Sequence, residues 1–187
     1  MNNSQIAIKN MVCSRCITSV ESILDKLAIK YIEIDLGKVI LEESIGNESL
    51  EKLRLELDSV GFEILSNSEN ILIEKIRVTL INYVKDKLSK NNENFTSFLE
   101  TEIGVNYSKL ARLFSSKEGK TIERYLIELK IEKAKEYIKY DELSLSQISY
   151  ELNYSTPQHL SRQFKQITGV TPSEFKRNGN RTKLDKL

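Results

Sequence analysis

Two cysteines stand two residues apart in the stretch Asn10-Met11-Val12-Cys13-Ser14-Arg15-Cys16-Ile17, and they are the only two in the 187-residue chain. A pair at this spacing can clasp a soft metal ion, close into a disulfide, or fill space as two small buried side chains. A closed zinc site wants four ligands, commonly cysteine and histidine. The chain adds a single histidine, His159, far along the sequence, so a zinc site closed by one chain is not expected. Soft thiolates suit Cu(I) or a similar soft metal ion. Elsewhere no Ser/His/Asp set, histidine metal set or phosphate-binding glycine loop is present, so the expectation is a protein that is not an enzyme.

The elements that position the cysteines can be read from the pattern around them. Gln5–Asn10 alternates through Ile6 and Ile8 as a short strand does. From Cys16 the spacing turns helical through Ile17, Val20, Ile23, Leu24 and Leu27. Two alternating runs then flank Gly37 and Lys38 as in a hairpin. Leu50, Leu53, Leu57 and Val60 share a helical face that stops at Gly61, and Phe62–Leu65 closes as a last strand. The order is βαββαβ, an open-faced sandwich, with Cys13 and Cys16 where the first strand meets the first helix. Free N–H groups and the positive dipole end there favour thiolate, and Arg15 adds a positive charge.

These 60 or so residues resemble the heavy-metal-associated domain of copper chaperones and metal-transport ATPases. That family places Gly-Met-Thr-Cys-x-x-Cys at this loop and Gly-Tyr or Gly-Phe before its last strand. The counterparts are Asn10 to Cys16 and Gly61-Phe62, with Asn10 in place of the glycine and Val12 in place of the threonine. The resemblance implies that Cys13 and Cys16 are ligands, that Met11 packs beneath the loop, and that Phe62 shields the site.

Composition supports a division into two modules. Apolar residues make up 40% and charged residues 29%, ordinary for a folded chain. The net charge of +1 is unevenly spread: residues 1–70 carry 7 Lys/Arg against 12 Asp/Glu, and residues 71–187 carry 21 against 15. The second part is thus the one able to approach a polyanion. No apolar run reaches the roughly 18–20 residues that span a bilayer, and the start lacks the order of a secretory signal. The expectation is a cytoplasmic protein without a membrane partner. A polar break at Ser66–Asn70 marks the expected boundary, giving residues 1–66 as the first domain. Residues 67–94 follow as linker and connecting helix, with Ile73, Ile76, Leu80, Val84 and Leu88 at helical spacing, and then residues 95–187.

The last part repeats itself. Ser97–Gly119 and Ser146–Gly169 match with one residue's drift in the turn: Ile103 pairs with Leu152, Gly104 with Asn153, Leu110 with Leu160 and Phe114 with Phe164. Each copy reads as helix, tight turn, helix, with Gly104 or Asn153 at a position that takes a positive φ. Ser144–Gln147 forms a capping box, Thr171–Glu174 opens a final helix with Pro172 at its first position, and Pro157 likewise opens a helix. Between the copies Thr121–Lys139 runs unbroken by Gly or Pro, roughly 28 Å as a helix. That length approaches the ~34 Å between successive major-groove faces of DNA.

This half is similar to the DNA-binding domain of AraC-type transcription regulators, carried by Glu128–Ile138, Leu143–Ser155, His159–Gly169 and Thr171–Arg177. The resemblance implies an all-α double helix-turn-helix domain whose second helices read bases. By position the readers are Ser108, Lys109 and Arg112 in one copy and Gln158, Ser161 and Arg162 in the other. Arg pairs bidentately with guanine and Gln with adenine, while Lys117, Lys165 and Lys176 can hold phosphates. The expected protein is therefore a sequence-specific regulator binding double-stranded DNA, responding to Cu(I), another soft metal ion or thiol stress through the Cys-x-x-Cys module. The alternative is a regulator whose front domain is a metal-free interaction module, including one that builds a homodimer.

Overall fold

The computed structural model describes residues 4–87, 94–141 and 143–179. The front elements run β1 (Gln5–Lys9), α1 (Ser14–Lys26), β2 (Tyr31–Asp35), β3 (Lys38–Leu41), α2 (Asn47–Ser59) and β4 (Glu63–Leu65). The four strands form one antiparallel sheet in the order β2-β3-β1-β4, with Ile6 opposite Val39 and Ile8 opposite Ile64. α1 and α2 turn their apolar stripes inward. Val20, Leu24, Leu53 and Leu57 meet Ile6, Ile8, Val39 and Leu41 in one buried core.

The central strand β1 departs from the alternation of a sheet with one wet face. Ile6, Ala7 and Ile8 are all buried, and so is Leu65, the cross-strand partner of Ala7. The face expected to be open is thus covered along β1. The next helix, α3 (Ser68–Asn82), comes close at two ends of this region. Its Glu74 reaches Asn10 just past β1, and its Val78 reaches Gly37 in the turn between β2 and β3. A Cβ on Gly37 would sit 3.1 Å from Val78 Cγ2, and its φ of +79° already favours glycine.

The chain divides into two compact units, Met1–Thr79 and Leu80–Leu187, so the division falls within α3 rather than at Ser66–Asn70. The reason is local. Asn67 Oδ1 accepts from the N–H groups of Glu69 at 2.8 Å and Asn70 at 3.3 Å, so the polar run caps a helix instead of forming a linker. After α3 the backbone becomes π-helical over Tyr83–Lys87, where the spacing alone predicts an unbroken α-helix. Leu88 lies outside the described residues, as does the expected polar loop at 89–94 except for Asn94 itself, which caps the next helix.

The helical half consists of α4 (Phe95–Ile103), α5 (Tyr107–Glu118), α6 (Ile122–Tyr140), α7 (Leu145–Glu151), α8 (Pro157–Thr168) and α9 (Pro172–Gly179). Its caps follow from residue type. Asn94, Asn106, Thr121, Ser144 and Thr156 each accept a backbone N–H at a helix start, and Ser144 with Gln147 completes a capping box. Gly119 and Gly169 end α5 and α8 in the left-handed conformation. Leu99, Leu110, Phe114, Ile131, Ala134, Leu160 and Phe164 are fully buried. Among the described residues no helix is long and apolar enough to cross a membrane.

Candidate nucleic-acid interface and cysteine site

Each half-unit of the helical part is a helix pair closed by a tight turn. Gly104 takes φ +77° after α4, and Asn153 takes φ +52° after α7. In the first pair the Glu100 carboxylate accepts the Tyr107 N–H at 2.6 Å, pinning the start of α5 to α4. The Tyr107 hydroxyl donates to Glu123 on α6. Burial, then the Glu123 carboxylate, pushes the Tyr107 phenol well above its usual range, so it remains a donor. In the second pair Ser155 and the His159 ring lie within hydrogen-bond distance at 3.3 Å, and His159 meets the edge of Tyr154.

With those helices fixed, the expected readers can be placed. Ser108, Lys109, Arg112 and Lys117 are exposed on α5; Gln158, Arg162 and Lys165 are exposed on α8, where Ser161 is half-buried. Lys176, on α9, pairs with Asp141. Ser108 has a second occupation, because its hydroxyl donates to the capping Asn106 Oδ1 at 2.6 Å. On the opposite side Leu110, Phe114, Leu160 and Phe164 are buried, while Leu113 is only half-buried. Ser116 and Gln166 are exposed one helical turn beyond Arg112 and Arg162 and were signalled only by that spacing. The arrangement offers two polar helix faces, each with one exposed arginine.

The cysteines sit at the start of α1, with Cys13 as its N-cap residue. Their Sγ atoms are 3.5 Å apart, beyond the roughly 2.05 Å of a disulfide, so this is the dithiol. The Cys16 backbone N–H, then the Cys16 side chain, hold the Cys13 thiol below its ordinary value, with Arg15 adding to the effect. Met11 is fully buried and Phe62 nearly so, whereas Val12 is exposed. Asn10 adopts φ +72°, a conformation that glycine takes freely and Asn tolerates. Its side-chain Nδ2 donates to the Gly61 carbonyl at 2.9 Å, which ties the cysteine loop to the segment leading into β4.

Two soft sulfurs at the start of α1 are the donor type that a thiophilic ion takes. Among the described residues no cluster of three or more His, Cys, Asp or Glu could supply the fuller set that zinc prefers. Glu74 is the neighbour that the local pattern does not reveal, since its contact with Asn10 spans 64 positions.

Residues 99–178 match the family model for a helix-turn-helix domain. This part of the chain is a helix-turn-helix domain, similar to AraC-type DNA-binding domains. Over 100 residues the chain is 29% identical to the uncharacterized transcriptional regulatory protein YesN of Bacillus subtilis strain 168, covering 52% of this chain and 27% of that protein. Over 75 residues it is 33% identical to an uncharacterized HTH-type transcriptional regulator in the cgkA 5′ region of Pseudoalteromonas carrageenovora, covering 40% and 44%. The chain thus spans less than half the length of either relative. It shares its fold with a crystal structure of a transcriptional regulator (AraC-type DNA-binding domain-containing proteins) from Chromobacterium violaceum. The TM-score there is 0.50 at 20% identity, over 57% of this chain and 94% of that one.

Proposed function

We propose that this chain is a sequence-specific DNA-binding transcription regulator whose front module reports on soft metal or thiol chemistry. The observation that carries the first part is the doubled helix-turn-helix unit, with α5 and α8 each exposing an arginine-bearing polar face over a buried core. Arg112 and Arg162 are the base readers, with Lys109 and Gln158 beside them and Lys117 and Lys165 on phosphates. Selection of binding sites from random duplexes, followed by footprinting of the full chain, tests this reading. A recovered consensus that is protected supports it, and uniform, salt-sensitive binding to every duplex overturns it.

The second part rests on the element order, the sheet order and the position of the cysteines at the β1–α1 junction. These support a heavy-metal-associated type of module. Cys13 and Cys16 would hold Cu(I), which would fix the separation of the two sulfurs and consume both thiols. Titration of the reduced full chain with Cu(I) under a competing chelator should give one ion per chain, abolished in Cys13→Ser/Cys16→Ser. The interaction-module alternative draws on the exposed Val12, Ile32, Leu55 and Val60 of the front unit. It requires self-association in sedimentation that persists without metal and without the cysteines.

A further inference from the structure

Glu74 is the one charged residue among the described residues that is almost fully buried, at 5% exposure. Its Oε1 accepts the Asn10 backbone N–H at 3.0 Å, and its Oε2 lies 3.5 Å from Arg77 Nη1. Asn10 is held from three sides: its N–H by Glu74, its side chain by the Gly61 carbonyl, and its own carbonyl by the Cys16 thiol at 3.9 Å. A single residue with left-handed backbone therefore stands between a thiol of the cysteine pair and a buried carboxylate of α3. That helix begins in the first compact unit and ends in the second.

We propose that Glu74 is a positioning residue for the cysteine loop, and that closing the Cys13–Cys16 disulfide weakens its hold on Asn10 and loosens the first part of α3. The proposal rests on the thiol-sensing reading of the module. In the step itself, two thiols give up two protons and two electrons to a low-molecular-weight disulfide, which leaves as two thiols while the Sγ–Sγ bond forms. The sulfurs must approach from 3.5 Å to about 2.05 Å. Cys16 lies in the first turn of α1, so the movement falls on Cys13 and the loop back to Asn10. The Asn10 carbonyl loses its S–H donor in the same event. Glu74 is poorly placed to tolerate this, since burial already pushes its carboxyl up and the Asn10 N–H and Arg77 oppose that push. A buried carboxylate deprived of a donor is costly, which makes the coupling strong.

Coupling is reciprocal, so a contact made best in the dithiol must itself favour the dithiol. The full chain is equilibrated in glutathione buffers of graded ratio, and the oxidised fraction is read by thiol trapping and mass. Glu74→Gln and Glu74→Leu should shift the equilibrium roughly tenfold toward the disulfide, about 30 mV lower in potential, while the exposed Glu51→Gln leaves it in place. Hydrogen exchange on the wild-type chain supplies a readout independent of any variant. Oxidation should speed exchange at Asn10 and across Ser68–Thr79 while the interior of α2 stays protected. An unchanged potential in Glu74→Gln together with unchanged α3 exchange, in a chain that does form the disulfide, overturns the role of Glu74 and leaves thiol sensing standing. Failure of Cys13 and Cys16 to form a disulfide in any buffer overturns both.

Discussion

The two helix-turn-helix units can be laid over one another by adding fifty to the residue number from the second helix onward. Leu110 and Leu160 are both fully buried, as are Phe114 and Phe164. Gly119 and Gly169 both end a helix in the left-handed conformation. Phe114 packs tilted against Tyr125 at 5.6 Å between centroids, and Phe164 packs edge to face against Phe175 at 5.5 Å. What differs lies in the turns and on the outer faces. The first turn is Gly104 to Asn106, and the second runs longer, from Leu152 to Thr156. Arg112 and Arg162 correspond, yet their neighbours differ: Gln158 stands at the position of Ser108 and His159 at that of Lys109. The shared residues build the unit, and the unshared ones give each outer face its own chemistry.

The most severe way to break the comparison is to empty the two cores. Phe114→Ala and Phe164→Ala should each cost about 3–5 kcal/mol, read from urea unfolding. Costs differing by several kcal/mol would mean that one unit leans on the other. Next come the corresponding arginines. Arg112→Ala and Arg162→Ala should each lose about 1–3 kcal/mol on a selected site, with relaxed preference at a different base position for each. Lys165→Ala should instead weaken all duplexes and flatten the salt slope.

The turns give a smaller contrast. Nothing lies within 4 Å of a Cβ built on Gly104, so Gly104→Ala should cost only the conformational term, about 1 kcal/mol. Asn153 holds a similar conformation with a side chain, so Asn153→Gly should stabilise by less than about 1 kcal/mol. Chemical denaturation of both variants separates these signs.

The smallest effect is a pH dependence set by Lys130 on α6 and by Tyr154 of the second unit, beside it. Lys130 Nζ lies 5.1 Å from the Tyr154 ring centroid, and burial pulls its pKa down to about 8. The folded chain then binds fewer protons than the unfolded one above that value, so stability should rise with pH from about 8 toward the ordinary lysine value. Burial raises Tyr154 to about 12, so the sign reverses above the ordinary tyrosine value, near 10. Melting curves across this range should show the rise in the wild type and lose it in Lys130→Met.

Much of the helical half is legible in the sequence because its signals are local. A cap needs only the next three residues, as at Ser144 and Gln147, and the left-handed positions announce themselves as Gly104 and Asn153. The same holds for the strand-to-helix placement of Cys13 and Cys16. The start of α3 is legible only in part. Ser66–Asn70 carries residues that suit both a linker and an N-cap, and only the hydrogen bonds to Asn67 decide between them. Glu74 is not legible at all, since its acceptor role depends on an N–H far away in the chain. A periodic apolar pattern marks a helix without saying what its charged members touch. The π-helical stretch at Tyr83–Lys87 is hidden for a related reason: Tyr83 packs its ring on Phe95 and Phe98, which are distant in the sequence.

Two unlike readers carried on one chain have no two-fold axis relating them. A palindrome is the natural target of a symmetric pair, whereas this pair is best matched by a site that reads differently from its two ends. Such a site is an arrow. On the proposed reading, turning it around within its surroundings reverses the order in which α5 and α8 meet the duplex.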